Sequence, residues 1–169
     1  MISRLVLGCA LLACALPAAA SDRAALDTLV AQHAHANGVP EALVHRIIPR
    51  ESGYNPRASN RGNLGLMQIR YGTARAMGYT GSAAGLLDTN TNLAYAVPYL
   101  ANAYKVAGGN PDRAVSYYSG GYYYAAKRKG LLRELRSGPG DPVTTGSVSS
   151  PSQSLTSLLS SVFTPSQTR

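Results

Sequence analysis

The central stretch of this sequence runs from Ile47 to Ile69 and reads IIPRESGYNP at 47–56 and GLMQI at 65–69, with a polar loop between the two segments. Apolar residues before and within the first segment recur at three- and four-residue steps, which is the spacing of one face of an α-helix. These residues are Leu43, Val44, Ile47 and Ile48. The pattern predicts a helix with one buried face.

Glu51 occupies the next step of this apolar face, where an acidic residue is unusual. Gly53 follows closely and ends the helix, so the Glu51 carboxyl is expected on a buried face at a helix C-terminus. Partial loss of hydration and the negative end of the helix dipole both disfavour the carboxylate and raise its pKa. Such a carboxyl suits general acid catalysis near neutral pH. The alternative, from this residue alone, is a surface ion pair with Arg50.

Four sequence motifs carry a family resemblance. They are RESGYNP at 50–56, GLMQI at 65–69, GLLDTNTN at 85–92 and AVSYYSGG at 114–121. Together they resemble the lytic transglycosylases of the Slt type, a lysozyme-like family that cleaves peptidoglycan. The similarity extends from about Ala25 to Leu132. The resemblance implies a mainly α, lysozyme-like helical domain with a groove beside Glu51, which would act as the single acid and base.

The resemblance also implies a substrate site around Glu51. Met67 and Gln68 match family positions that line the sugar groove, and Tyr118 matches the tyrosine of the family's Ala-Tyr-Asn-x-Gly motif. The predicted substrate-binding residues are Ser52, Met67, Gln68, Tyr117, Tyr118 and Ser119. Ser119 departs from the family pattern, which has Asn at that place, so we expect a hydrogen bond there to be shortened or carried by a water.

Other local signals predict helix boundaries. The expected caps or starts are Ser21-Asp22, Pro40-Glu41, Asp88 and Asn110-Pro111, and Asn37-Gly38 should end the first helix. Pro49 and Pro98 remove a helical N–H each, so kinks are expected there. The basic residues between Lys127 and Arg136 are predicted to share a last helix.

Composition divides the chain into three parts. Residues 1–20 have the pattern of a secretory signal with an Ala18-Ala19-Ala20 cleavage site, which predicts export to the periplasm. Lipid attachment at Cys14 is a minor alternative, and because Cys9 and Cys14 both lie in the signal, no disulfide is expected in the mature chain. Residues 21–136 form the predicted transglycosylase domain. Residues 137–169 form a Ser/Thr/Pro/Gly-rich flexible tail, in which the apolar spacing over 155–163 is compatible with a short amphipathic helix.

The net charge of +8 favours an anionic polymer as the partner. Peptidoglycan is one, whereas nucleic acid is not predicted because the basic residues are mostly scattered and the GLMQI motif explains nothing about phosphate binding. No cluster of Cys or His has the spacing of metal ligands, so neither a metal nor a cofactor is predicted. No segment of the mature chain is apolar enough to span a membrane. By analogy with small specialised family members, secretion or conjugation machinery is a further candidate partner.

Tyrosine supplies nearly all the aromatic surface, since the chain has eleven Tyr, one Phe and no Trp. The run Tyr122-Tyr123-Tyr124 is compatible with core packing and with stacking against a sugar ring. Both alternatives stay open at this point.

Glu51 is the acidic residue to which the sequence assigns no structural role. The other acids fall in first turns, at a helix cap, among basic or polar helix neighbours, or in the tail. A two-carboxylate glycosidase needs a second acid about 5 to 9.5 Å away across the sugar, and the sequence offers no obvious one. The resemblance instead implies one glutamate used twice, with formation of a 1,6-anhydro ring. Three hypotheses for the function follow: a lytic transglycosylase, a hydrolytic lysozyme-type muramidase, and a non-catalytic wall-binding module.

Overall fold

The computed structural model describes residues 18–138 of the chain. Its helices are α1 (Ala18–Asn37), α2 (Glu41–Glu51), α3 (Tyr71–Ala76), α4 (Thr89–Val106), α5 (Pro111–Gly120) and α6 (Tyr123–Arg128), with short 3-10 helices at Ala83–Leu87 and Leu132–Glu134. The strands β1 (Ser59–Asn60), β2 (Asn63–Leu64) and β3 (Ile69–Arg70) form one antiparallel sheet in that order. The predicted mainly helical fold is confirmed. Most of the predicted signal, both cysteines and the segment 155–163 lie outside the described residues.

Helix α4 is the centre of the packing, with α1 and α5 against it and α2 against α1. Its apolar face is fully buried and consists of Leu93, Ala96, Val97, Leu100, Ala103 and Val106. The predicted face of α2 is buried as well, since Leu43, Val44, Ile47 and Ile48 are all at most 3% exposed. This buried face fixes the rotation of α2 and therefore the direction in which Glu51 points.

Local chemistry explains three of the helix boundaries. The Asp88 carboxylate accepts a hydrogen bond from Thr91 N at 2.8 Å, and this bond lowers the pKa of Asp88. The Asn110 side chain accepts from Arg113 N at 2.9 Å in the same way. Gly38 takes a φ of 63° directly after α1 ends. The predictions of Asp88 and Asn110 as caps and of Gly38 as a terminator are confirmed.

Two expectations about secondary structure differ from what is observed, and one small element was not predicted. Ser21 lies inside α1, which begins at Ala18, so Ser21 is not the cap. Helices α2 and α4 continue through Pro49 and Pro98, and the kinks expected at these prolines stay a prediction. The basic residues do not share one helix, because α6 stops at Arg128 and Gly130 follows with a φ of 69°. The polar loop between the two central segments contains β1 and β2, which the sequence analysis missed because two-residue strands carry no periodicity.

The three tyrosines at 122–124 differ in burial, which bears on the two alternatives of core packing and sugar stacking. Tyr122 is buried, and Asn102 Nδ2 donates to its hydroxyl oxygen at 3.1 Å. Tyr123 and Tyr124 are 57% and 73% exposed. Core packing is therefore correct for the first tyrosine alone.

Within residues 18–138, no helix combines the length and the apolar character needed to cross a bilayer. In the same range, His, Cys, Asp and Glu side chains do not gather in threes that could hold a metal ion.

Candidate active site

Glu51 is the last residue of α2 and is half-buried. The chain turns sharply after it, because Gly53 and Tyr54 both adopt positive φ values of 59° and 68°. Ser52 secures this turn, since its Oγ donates to Leu66 O at 2.7 Å. The helix end is thereby tied to the GLMQI segment.

Desolvation by burial raises the pKa of Glu51 above its ordinary value. Two weaker effects oppose it, a hydrogen bond from Ser119 and the charge of Arg50. The Ser119 Oγ donates to Glu51 Oε1 over 3.4 Å, which is long for an O–H···O bond. Glu51 therefore holds its proton at a higher pH than an exposed glutamate does, as a general acid requires.

The GLMQI segment bends tightly beside Glu51, and Gly65 is necessary for the bend. Gly65 has a φ of 72°, and a Cβ there would collide with Leu86 O and Asn92 Nδ2. Gln68 also has a positive φ, of 50°. Its Nε2 donates to Ala58 O at 3.0 Å and to Gly65 O at 2.9 Å. Both amide hydrogens are thus committed to main chain, so the carbonyl oxygen of Gln68 is the group that it can offer a ligand.

Asn92, at the start of α4, holds the GLMQI segment in place from inside the protein. It has no exposed surface, and its Oδ1 accepts from Met67 N at 2.8 Å. Its Nδ2 donates to Leu64 O at 2.9 Å and to Leu86 O at 2.8 Å. Asn92 was not among the predicted site residues, although it directly precedes Leu93, a residue of the buried face of α4.

Tyr118 lies on α5 and faces the same site. Its hydroxyl donates to Met67 O at 2.8 Å, and its ring meets that of Tyr99 edge-on with centroids 5.4 Å apart. Burial raises the pKa of Tyr118 well above its ordinary value, and the nearby negative charge of Glu51 raises it further. Tyr118 is therefore a neutral phenol beside the Glu51 carboxyl.

These elements enclose an open cavity of about 510 Å³, which we call the Glu51 cavity. It is lined by Glu51, Asn63, Gln68, Ile69, Arg70, Thr73, Tyr99, Tyr118, Ser119, Gly120 and Gly121. Glu51 carries the only carboxyl among these lining residues. A ligand in the cavity thus meets one carboxyl, several neutral hydrogen-bonding groups, aromatic surface and one guanidinium.

The structure brings three of the predicted substrate-binding residues to this cavity and leaves three outside it. Gln68, Tyr118 and Ser119 line it, and their contact with substrate stays a prediction. Met67 is fully buried in the core, so the expectation that its side chain lines a groove is wrong; only its main chain serves the site. The Ser52 hydroxyl donates to Leu66 O, and Tyr117 packs against the core. Neither of these two lines the cavity.

Seven lining residues were not among the predicted site residues, namely Asn63, Ile69, Arg70, Thr73, Tyr99, Gly120 and Gly121. Asn63 and Arg70 belong to the small sheet, which was itself missed. Tyr99 lies on α4, and burial raises its pKa. Its closeness to Glu51 depends on how α4 and α5 pack, which local patterns do not reveal.

The family model of the transglycosylase SLT domain matches residues 28–134, which include every residue of the Glu51 cavity. The chain belongs to the SLT transglycosylase family. This membership confirms the resemblance stated from the sequence and the lysozyme-like helical fold, and it indicates a peptidoglycan-cleaving activity of the lytic transglycosylase type. No solved structure matches the chain.

Proposed function

We propose that this SLT-family protein cleaves the β-1,4 bond between N-acetylmuramic acid and N-acetylglucosamine without water and leaves a 1,6-anhydromuramyl end. The observation that carries the proposal is that Glu51, with its raised pKa, is the only carboxyl lining the cavity among the described residues. A cavity with a single carboxyl suits a mechanism in which one group acts twice.

In the first step, protonated Glu51 donates its proton to the glycosidic oxygen, and the bond from that oxygen to the muramyl anomeric carbon breaks. The muramyl N-acetyl group stabilises the cationic centre. The Glu51 carboxylate then removes the proton of the muramyl 6-hydroxyl, whose oxygen bonds to the anomeric carbon and closes the anhydro ring. Glu51 ends protonated, and no cofactor takes part.

The neighbouring residues support both halves of this cycle. The Ser119 hydroxyl donates to the carboxylate form and so stabilises Glu51 after it has released its proton. Tyr118 and Tyr99 supply aromatic surface against which a sugar ring can pack. The side-chain oxygen of Gln68 is available to accept a hydrogen bond from a sugar hydroxyl.

A hydrolytic muramidase is the alternative, and it requires a second acid to hold a water or a covalent intermediate. The acid to test for this role is Asp88. It caps α4, and its carboxylate accepts from Thr91 N. It does not line the Glu51 cavity, so no observation favours the hydrolytic reaction.

The setting of the reaction is also part of the proposal. The signal-like sequence at 1–20 supports export to the periplasm, where peptidoglycan lies. The resemblance to small specialised transglycosylases supports a role in local opening of the wall for a secretion or conjugation system. Lipid attachment at Cys14 stays the minor alternative to a soluble exported form.

Release of soluble muropeptides from purified sacculi tests the catalytic assignment. Glu51→Gln keeps the size and the hydrogen bonding of the side chain but removes its proton, so we expect a loss of at least about 10²- to 10⁴-fold, the range typical of general acid–base groups. Glu41→Gln, an exposed change in the first turn of the same helix, is the matched control and should keep wild-type release. Release near the wild-type rate by a folded Glu51→Gln protein refutes the assignment.

A further inference from the structure

Arg70 stands out in the Glu51 cavity because it is the only positively charged side chain among the lining residues. It is the last residue of β3, where its neighbour Ile69 is buried and Arg70 itself is exposed. Asn63 lies directly opposite in β2. The Arg70 Nε donates to Asn63 Oδ1 at 3.2 Å, so the guanidinium is oriented by a second residue that also lines the cavity.

The guanidinium of Arg70 has no acidic partner among the described residues. The ion pairs in that part of the chain involve Arg23, His45, Arg46 and Lys105, and Arg70 is in none of them. Its Nε is occupied by Asn63, which leaves the four N–H groups on the two terminal nitrogens. Two of these can bind the two oxygens of a carboxylate side by side.

We propose that Arg70 binds a carboxylate of the peptidoglycan substrate, and that it thereby makes the enzyme prefer strands with a carboxylate at that place over neutral glycan. This inference rests on the proposed function, because it assumes that the Glu51 cavity receives the glycan strand. Arg70 is a specificity-determining residue in this account and takes no part in proton transfer.

Two carboxylates of the substrate are suitable. One belongs to the stem peptide, whose residues carry free carboxyl groups. The other is the lactyl carboxylate of muramic acid, which is free only where the stem peptide has been removed. Both offer the same two oxygens to the guanidinium, so the chemistry is shared and the experiment must separate the sources.

The electrostatics of the cavity allow a second negative group near Glu51. The charge of Arg50 lowers the pKa of Glu51. Arg70 can neutralise a substrate carboxylate that enters the cavity beside Glu51. A substrate carboxylate that entered without Arg70 would add an unpaired charge to the cavity.

Binding to defined glycan fragments tests the inference separately from turnover. The protein carries Glu51→Gln to prevent cleavage, with and without Arg70→Gln, and calorimetry measures its affinity for three fragments. These are a peptide-bearing tetrasaccharide, the same fragment after an amidase has removed the peptides, and the peptide-bearing fragment with its carboxyls converted to amides. Arg75→Gln is the matched control, because Arg75 is exposed on α3 and does not line the cavity.

We expect Arg70→Gln to weaken binding by roughly three- to tenfold, an effect that shrinks as salt is added because the site is open to solvent. A loss confined to the peptide-bearing fragment identifies a stem carboxylate, and a loss on the peptide-free fragment identifies the lactyl carboxylate. Arg70→Lys should recover part of the affinity, since it keeps the charge without the paired geometry.

The inference is overturned by equal affinity with and without Arg70, by an equal loss on the amidated fragment, or by no measurable binding of any fragment. Wild-type cleavage of sacculi is measured in parallel. Absent cleavage with Arg70-dependent binding refutes the proposed reaction and leaves only the carboxylate-binding role of Arg70 standing. Normal cleavage with binding that ignores Arg70 refutes only the inference.

Discussion

Replacing Asn92 by Ala should destabilise the protein more than any exposed substitution on the same helix. Asn92 is fully buried and makes three hydrogen bonds of 2.8 to 2.9 Å to the main chain, with Met67 N, Leu64 O and Leu86 O. The Ala variant leaves all three main-chain groups without this partner. A buried polar group that loses its partner costs about 1 to 3 kcal/mol, and a water that enters the vacated space recovers part of this.

We therefore expect a loss of about 3 to 6 kcal/mol in the free energy of unfolding, a large share of the roughly 5 to 15 kcal/mol typical of a domain. Chemical denaturation followed by circular dichroism measures it, with equal slopes required for the comparison. Asn90→Ala is the control, because Asn90 is exposed and its side chain bonds His33 at 2.8 Å through Oδ1. A loss below about 1 kcal/mol for Asn92→Ala would refute the view that this side chain holds the GLMQI segment.

Three further outcomes follow from the contacts around Glu51. Ser119→Ala removes the hydrogen bond that lowers the pKa of Glu51, so the fall in activity at alkaline pH should move to higher pH; a pH–rate profile that does not move, or moves to lower pH, contradicts this. Glu51→Gln should unfold at a higher temperature than the wild type at neutral pH, because the raised pKa means that ionising Glu51 costs stability as the pH rises through that pKa. The difference in melting temperature should close below pH 4.5, the ordinary pKa of a glutamate, and a constant difference across pH counts against desolvation as the cause. Tyr118→Phe leaves Met67 O without its donor, so denaturation should show a loss of about 1 to 3 kcal/mol, and an unchanged stability would mean that the 2.8 Å bond contributes little.

The parts of the site that local rules govern were predictable from the sequence. The apolar spacing before Glu51 gave the buried face of α2 and hence the position of the carboxyl. The Asp88 and Asn110 caps depend on residues three positions apart, so the chain segment itself contains the information. The family resemblance added Gln68, Tyr118 and Ser119, which the structure brings to the same cavity.

The parts that depend on irregular backbone and on tertiary packing were not predictable in this way. Met67 and Gln68 are neighbours, yet one enters the core and the other lines the cavity, because a φ of 50° at Gln68 turns the chain between them. No periodicity describes such a segment. Arg70 and Tyr99 reach the cavity through a sheet of two-residue strands and through the packing of α4 against α5. Neither position follows from its neighbours in sequence.

The product of the reaction tests the central claim most directly. Purified sacculi are digested by the wild-type protein in water enriched in heavy oxygen, and the muropeptides are analysed by mass spectrometry, with the Glu51→Gln protein as the blank. A single catalytic carboxyl that closes the ring with the muramyl 6-hydroxyl predicts ends in 1,6-anhydromuramic acid, lighter by one water than hydrolytic products and free of heavy oxygen. Reducing muramic acid ends that carry heavy oxygen would contradict the account, because they require an activated water that the cavity has no second carboxyl to supply.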